Sequence, residues 1–343
     1  MADEVKRICS ELQIEVVEDG AAALIDGAAG NLIARVPGDA QRPTILLTAH
    51  LDTVVPGANI QTSIENGRIV SDGTTVLGAD DKVGVAAMLE MMRVLTTSKV
   101  DHGPIEFLFT VGEESGLLGS RHLDRSLISA QYGFAFDSTG EIGTVVVQGP
   151  AQKRIDATVH GRAAHAGVAP EKGISAISVA AAAVAAMKLG RIDEATTANI
   201  GSFVGQGPTN IVCDRVDIAA EARSLWDDRL DRQVKHMADT IKQTAIAWGA
   251  TAEVKITELY PAFAHDSEAS VVQMAKRAIH AISKPCSLIS MGGGSDANIL
   301  NGLGIETVNF AVGYENIHTT SEFIRVSDVV SCAELMLSVI RSV

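Results

Sequence analysis

The sequence predicts an α/β protein whose larger domain is a mostly parallel sheet with helices on both faces. Nearly all-apolar segments, such as 44–48 and 105–111, are typical of strands buried on both faces of a sheet. Segments with helical periodicity, such as 83–95, alternate with them, and this alternation favours parallel strand pairing. The length of 343 residues accommodates two domains.

The predicted elements of the larger domain fall in two blocks of the chain. The first block opens with a helix marked by Val5, Ile8 and Leu12. Its later elements are strands at 14–17, 31–36 and 44–48, a helix at 83–95, and strands at 105–111 and 133–136. The second block has a helix up to 282, strands at 287–290 and 305–312, and a final helix. Residues 1–149 and 261–343 are therefore expected to form one domain.

Residues 150–260 follow a different pattern and are predicted to form an inserted second domain. Ile155, Ala157 and Val159 alternate with polar residues, which is typical of a strand with one exposed face. The remaining predicted elements are a helix at 174–189, strands at 199–204 and 211–222, a helix at 230–248 and a strand at 252–259. This β-α-β-β-α-β order predicts a ferredoxin-like fold with one open sheet face.

Composition argues against several classes of protein. A net charge of −14 disfavours a nucleic-acid partner, which needs a basic surface. The four cysteines are far apart and form no CxxC pair, so we expect reduced thiols. No apolar signal region follows the charged segment 1–7, and the longest apolar stretch, 174–187, is too weak for a membrane span. We therefore expect a cytoplasmic protein that binds neither nucleic acid nor membranes.

Two groups of polar residues precede the predicted helix at 83–95. Asp80 and Asp81 are adjacent, and because like charges repel, a packed site for both needs a cation or several hydrogen-bond donors. A helix N-cap or a solvated turn is the alternative. His50 and Asp52 are two residues apart, so in extended chain both side chains point to one face. Asp52 could orient the ring of a metal-bound His50, or the pair could be an exposed His beside an N-capping Asp.

Further polar residues follow other predicted strands. Glu113 and Glu114 come directly after a buried strand, where they form either a solvated loop or a metal ligand beside a general base. Asp137 ends another strand, a position at which Asp often forms a turn, and His318 follows the last strand. The carboxyl ends of strands in open α/β sheets converge on a ligand-binding crevice. Mixed N/O donors there predict a zinc site, with manganese or cobalt as substitutes.

These motifs resemble those of the M20 family of di-zinc peptidases, in particular its peptidase T-like branch, over nearly the whole chain. The stretch His50-Leu51-Asp52 is similar to the HxD motif of the family. Residues 78–82 are similar to its bridging-aspartate motif, and Glu113-Glu114 to its glutamate pair. The family joins a catalytic α/β domain to a ferredoxin-like lid, which matches the division of this chain.

The resemblance implies two zinc ions bridged by Asp80. The implied ligands are His50, Asp80 and Asp137 for one ion, and Asp80, Glu114 and His318 for the other. Glu113 is then expected to be the general base, and Asp52 to orient a ligand. A cis peptide bond between Asp80 and Asp81 is also expected from the resemblance.

The inserted domain contains the substrate-binding residues that the resemblance implies. His165, in the stretch 161–167, would help to stabilise the carbonyl oxygen of the substrate. Asn210 and Arg223 resemble the positions that hold the substrate backbone and its carboxylate. The structural alternatives are a Gly/Ala loop for His165, a turn for Asn210 and a surface ion pair for Arg223. A homodimer formed through this domain is the expected assembly.

Two features depart from the family pattern. Gly292 stands where tripeptidases have an Arg before a Gly-Gly-Thr-Asp stretch, which argues against strict tripeptide specificity. The chain also begins late, with little of the family's leading helical segment. We expect a zinc-dependent exopeptidase that hydrolyses amide bonds in short peptides. The alternatives are an amidohydrolase of N-acyl amino acids or similar small amides, and an inactive metal-binding protein. The presence of Glu113, the expected general base, argues against the inactive protein.

Overall fold

A computed structural model describes residues 1–343 of the protein, which divide into two compact units. The first unit comprises Met1–Gly149, Phe263–Met291 and Ser295–Val343. The second unit comprises Pro150–Ala262 and Gly292–Gly294. None of the helices combines the length and the apolar character that crossing a membrane requires.

The elements are numbered along the whole chain. The strands are β1 (Val16–Glu18), β2 (Leu32–Val36), β3 (Ile45–His50), β4 (Thr62–Glu65), β5 (Arg68–Ser71), β6 (Ile105–Thr110), β7 (Tyr132–Ser138), β8 (Thr144–Gly149), β9 (Ala151–His160), β10 (Gly190–Arg191), β11 (Thr196–Val204), β12 (Arg215–Ser224), β13 (Thr251–Tyr260), β14 (Phe263–Ala264), β15 (Ser287–Ser290), β16 (Glu306–Ala311) and β17 (Phe323–Arg325). The helices are α1 (Ala2–Glu11), α2 (Ala21–Ile25), α3 (Ala79–Thr97), α4 (Leu118–Arg121), α5 (Ala176–Ala186), α6 (Asp227–Ala247), α7 (Ser270–Ala281), α8 (Asp296–Gly302) and α9 (Val326–Ser342). Strands β9 to β13 and helices α5 and α6 belong to the second unit.

The first unit is built on a nine-stranded mixed sheet. Its order is β1-β2-β6-β3-β7-β16-β8-β14, and β15 also pairs with β8. The four central strands, β6, β3, β7 and β16, are parallel, whereas β1, β2, β8 and β14 form antiparallel pairs. The sheet, expected to be mostly parallel, is therefore mixed, with parallel pairing among the four central strands and between β15 and β8. One reason is the short turn at residues 139–143, which reverses the chain after β7 without a crossover helix.

The central strands are buried on both faces of the sheet. All six residues of β3 and all six of β6 are buried, as their apolar sequences predict. On one face, Leu47 and Phe107 belong to a core that includes residues of α3, α7 and α9. On the other face, Leu46 and Leu108 pack with Leu300 of α8. The ends of these strands are therefore carried by a tightly packed frame.

A small three-stranded sheet with the order β17-β5-β4 also belongs to the first unit. Strands β4 and β5 form a hairpin whose turn residues, Asn66 and Gly67, both have positive φ angles. Asn-Gly is the sequence most typical of such a two-residue turn. Strand β17 pairs with β5 on the other side and so joins the end of the chain to this hairpin.

The second unit contains a five-stranded antiparallel sheet. Its order is β10-β11-β12-β9-β13. Ile155, Ala157 and Val159 on β9 are buried in a core shared with α5 and α6, while the residues between them are half-buried. The alternation in the sequence thus corresponds to one face covered by helices and one more open face.

Candidate metal centre

Three neighbouring parallel strands carry candidate ligands to one edge of the central sheet. His50 is the last residue of β3, Asp137 is the last but one of β7, and Glu114 lies in the loop after β6. Because the carboxyl ends of parallel strands lie at the same edge, these side chains approach one another. Asp80 comes from the start of α3, and His318 comes from the loop after β16.

The carboxylate of Asp80 lies between two histidine rings. Its Oδ1 is 3.0 Å from Nε2 of His50, and its Oδ2 is 3.3 Å from Nε2 of His318. Asp137 Oδ1 lies 3.7 Å from the same nitrogen of His50, and Glu114 Oε1 lies 3.0 Å from that of His318. These five side chains therefore form two donor groups that share Asp80.

Asp81 has different partners from its neighbour, although the two residues are joined by a cis peptide bond as expected. Its Oδ2 accepts a hydrogen bond from the backbone N–H of His50 at 3.3 Å, and its Oδ1 accepts one from that of Gly84 at 3.2 Å. By distance, both His50–Asp81–Asp137 and His50–Asp80–Glu114 could hold an ion. Asp80 is the better candidate ligand, because its two oxygens face the ring nitrogens of His50 and His318, whereas those of Asp81 face backbone N–H groups.

Asp52 connects His50 to the pair of glutamates. Its two carboxylate oxygens accept hydrogen bonds from the backbone N–H groups of Glu113 and Glu114, each at 3.1 Å. Its Oδ1 also lies 3.5 Å from Nδ1 of His50, a buried ring nitrogen that has no hydrogen-bond partner. Lys82 donates to the backbone carbonyl of Asp52 at 2.5 Å. Asp52 is thus placed to orient both the ring of His50 and the glutamate loop.

Burial and charge shift the protonation of the centre in the metal-free protein. Burial, followed by the charge of Asp296, raises the pKa of Glu113 to about 9. Burial also raises the pKa of Asp137 well above its ordinary value. Burial by itself would lower the pKa of His50, but the nearby carboxylates of Asp52 and Asp80 outweigh it and raise that pKa. Protons therefore occupy groups from which a divalent cation would displace them, and the N/O donor set fits such a cation.

Three buried polar residues that were not identified from the sequence support the ligands. Asn309 Oδ1 accepts from the N–H of Asp137 at 2.9 Å, and its Nδ2 donates to the carbonyl of Asp137 at 2.7 Å. The hydroxyl of Tyr314 donates to Asp137 Oδ1 at 3.0 Å. Glu322 accepts from two backbone N–H groups of the loop that carries Asp80. Asn309 had a detectable signal, a polar residue within an apolar strand, whereas the partners of the other two depend on tertiary structure.

The three expected substrate-binding residues lie in the second unit. His165 and Asn210 are exposed and lie in adjacent segments, since the N–H of Ala166 donates to the carbonyl of Asn210 at 2.9 Å. Arg223 is half-buried near the far end of β12 and forms an ion pair with Glu221 at 3.0 Å. The structure thus brings His165 and Asn210 together but not Arg223.

The two donor groups share one carboxylate and lie at the carboxyl ends of the buried parallel strands. This arrangement is typical of a metal-dependent α/β enzyme. The chain belongs to peptidase family M20/M25/M40, whose sequence profile matches residues 46–342. Membership of this family makes it a hydrolase of the metallopeptidase class.

Three relatives show how closely the chain follows this family. It is 49% identical to the uncharacterized protein YqjE of Bacillus subtilis (strain 168) over 337 residues, 98% of this chain and 91% of that protein. Its sequence is 50% identical to that of aminopeptidase PepT from Bacillus cereus ATCC 10987. The crystal structure of that protein superimposes with a TM-score of 0.90 and covers 99% of this chain and 92% of its own. A tripeptidase structure from Staphylococcus aureus is 43% identical, with a TM-score of 0.93 over 99% and 91% of the two chains.

Proposed function

We propose that the protein is a di-zinc exopeptidase that removes residues from short peptides. The observation that carries this proposal is the position of Asp80. Each of its carboxylate oxygens faces the ring nitrogen of a different histidine, which is the arrangement needed for one carboxylate to serve two ions. The similarity to an aminopeptidase and to a tripeptidase supports peptides as the substrate class.

The proposed ligand sets follow the two donor groups. They are His50, Asp80 and Asp137 for one zinc ion, and Asp80, Glu114 and His318 for the other. Zinc accepts this mixture of imidazole and carboxylate donors, and manganese or cobalt can substitute for it in such sites. The bound ions would polarise the scissile carbonyl and lower the pKa of water.

Glu113 is proposed as the general base, with Asp52 as its positioning partner. The backbone N–H of Glu113 is held by Asp52, so the side chain starts from a fixed point beside the donor groups. As a carboxylate it accepts the proton of the attacking water and then returns it to the leaving amine. In the metal-free protein the pKa of Glu113 is about 9, so its side chain retains a proton at neutral pH. Glu113 can act as a base only when bound ions lower this pKa toward the ordinary value of a glutamate.

We further propose that residues 1–149 and 261–343 form the catalytic domain, and that residues 150–260 form a ferredoxin-like lid. The antiparallel strand order of the second unit supports this fold assignment. His165, Asn210 and Arg223 are proposed to bind the substrate peptide. A homodimer formed through the lid and a cytoplasmic location complete the proposal.

The proposal is tested with purified protein assayed on di- and tripeptides, their N-acylated forms and N-acyl amino acids. Each assay is run metal-free and after addition of zinc, manganese or cobalt. We expect metal-dependent release of the N-terminal residue from peptides with a free amino group. Cleavage of N-acyl amino acids alone would instead identify an amidohydrolase, and metal binding without any hydrolysis would contradict the enzymatic proposal.

A further inference from the structure

Glu322 is a buried carboxylate for which the proposed reaction has no use. Only 2% of its surface is exposed. Its Oε2 accepts a hydrogen bond from the backbone N–H of Gly78 at 2.7 Å, and its Oε1 accepts one from the N–H of Asp80 at 3.0 Å. Burial of a carboxylate is costly unless its oxygens are hydrogen-bonded, so these two donors explain how Glu322 is accommodated.

The two donors belong to the loop that sets the direction of the Asp80 side chain. Gly78 has a φ of +70°, a left-handed conformation that favours glycine, and it stands directly before α3. Asp80 itself departs from helical geometry, with φ −79° and ψ 103°. One helical hydrogen bond, from the N–H of Lys82 to the carbonyl of Gly78 at 3.2 Å, closes this segment, while the Glu322 carboxylate holds the N–H groups of Gly78 and Asp80.

Glu322 also links this loop to the segment that carries His318. It lies four residues after His318 and directly before β17, which pairs with β5 and is thereby fixed in the first unit. One side chain thus connects the backbone of the shared ligand Asp80 to the chain segment of a second ligand. The relative position of these two donors depends on this connection.

We propose that Glu322 is a positioning residue that presents Asp80 and His318 together to the metal ions. This inference rests on the proposed two-ion site. The geometry requires a carboxylate, because two N–H donors need two acceptor oxygens, and a Gln would turn its own NH₂ group toward one of them. Removal of a group that orients metal ligands typically weakens metal binding roughly 10- to 100-fold.

The test compares Glu322→Gln with a matched variant, Glu106→Gln. Glu106 is also buried, and its carboxylate accepts hydrogen bonds from the backbone N–H groups of Ser129 and Ala130. It lies within β6 and not beside the Asp80 loop. Both variants lose a carboxylate that holds two backbone amides, and Glu106→Gln also loses an ion pair with Arg35, so this control is expected to lose at least as much stability as Glu322→Gln.

The readouts are the thermal stability of the metal-free proteins, zinc affinity and stoichiometry by titration against a chelator, and the visible spectrum of the cobalt-loaded proteins. We expect Glu322→Gln to bind at least one ion roughly 10- to 100-fold more weakly and to change the cobalt spectrum. Glu106→Gln should keep the affinity, the stoichiometry and the spectrum of the wild type. Glu322→Asp, which keeps both oxygens but is one methylene shorter, should fall between wild type and Glu322→Gln.

Wild-type metal binding by Glu322→Gln would overturn this inference and leave the proposed function intact. Equal losses of affinity in Glu322→Gln and Glu106→Gln would also overturn it, because both would then follow from reduced stability. If Glu322→Gln does not fold, Glu322→Asp decides the question by the same comparison. A wild-type protein that binds no divalent ion would contradict the proposed function as well.

Discussion

Glu113 and Glu114 are neighbours with separate proposed roles, base and ligand. They lie in a turn, in which the carbonyl of Glu113 accepts hydrogen bonds from the N–H groups of Gly116 and Leu117. The carboxylate of Glu114 lies beside the His318 ring, so it can bind an ion while Glu113 acts on the attacking water. Glu113→Gln keeps the size of the side chain but cannot accept a proton. We expect it to keep its metal content while kcat falls roughly 10²- to 10⁴-fold, as measured by kinetics alongside metal analysis.

Glu114→Gln is the matched variant for this comparison. Glu114 Oε1 lies 3.0 Å from Nε2 of His318, so loss of the Glu114 carboxylate should weaken the binding of one ion. Added metal should then partly restore activity. An active Glu113→Gln enzyme, or one that loses metal, would show that the roles have been assigned to the wrong glutamates.

Arg223 allows a test of substrate recognition at the residue scale. It is proposed to hold the substrate carboxylate, but in this structure it pairs with Glu221. If it binds the carboxylate, Arg223→Ala should raise KM far more for peptides with a free C-terminus than for the same peptides amidated. Arg154→Ala, which removes an exposed Arg paired with Asp156, is the control. Equal losses on both substrate forms would leave Arg223 with a structural role only.

The candidate ligands were accessible from sequence, while the residues that support them were not. His50, Glu114 and Asp137 follow apolar strands, and that position alone indicated a shared edge of the sheet. Tyr314 and Glu322 gave no such signal, because their hydrogen bonds to distant segments exist only in the folded chain. A buried polar group needs a hydrogen-bond partner, and that partner cannot be identified from the sequence when it lies in a distant segment of the chain.

At the scale of elements, the loop at residues 112–118 is held at both ends by one buried side chain. Asn31 Oδ1 accepts from the N–H of Val111 at 3.3 Å, and its Nδ2 donates to the carbonyl of Gly119 at 2.9 Å. The same Nδ2 donates to Asp19 at 2.8 Å. Because both glutamates belong to this loop, Asn31 stabilises the part of the centre that β6 does not reach.

Asn31→Ala should therefore loosen the loop as well as destabilise the fold. Each buried polar group left without a partner costs about 1–3 kcal/mol, so we expect a loss of roughly 2–4 kcal/mol in the free energy of unfolding. Hydrogen exchange should accelerate at residues 112–118. Asn199→Ala, at an exposed position of β11, should change stability by less than about 0.5 kcal/mol. Unchanged exchange in the loop of Asn31→Ala would refute this role.

Burial was predictable for individual strands, but the direction of the outer strands was not. The apolar run of β3 indicated cover on both faces, and all of its residues are buried. Strands β2 and β8 have similar apolar character, yet β2 pairs antiparallel with β6, and β8 pairs antiparallel with β16 but parallel with β15. The hydrophobic pattern of a strand indicates which of its faces are covered. Whether two strands pair parallel or antiparallel depends instead on the segments that connect them and on which strands become neighbours.

At the scale of the whole molecule, the concentration of acidic groups makes stability depend on pH and on metal. In the metal-free protein, a hydrogen bond with Asp80 raises the pKa of His318 from 6.5 to about 9. The contribution of protonated His318 to the free energy of unfolding is fully present below pH 6.5 and is lost as the pH rises through about 9. Glu113 acts in the same direction, since its folded-state pKa of about 9 exceeds 4.5, so its ionisation also opposes folding in this range.

We therefore expect the free energy of unfolding of the metal-free protein to decrease between about pH 6 and about pH 9.5. His318→Asn should reduce this decrease, because Asn tolerates the φ of 62° at this position but carries no titrating proton. Urea unfolding in the presence of a chelator at several pH values measures both. With zinc present the trend should weaken or reverse, since metal displaces the same protons and binds more tightly as the pH rises. An identical pH dependence in wild type and His318→Asn would show that the His318–Asp80 contact does not link protonation to folding.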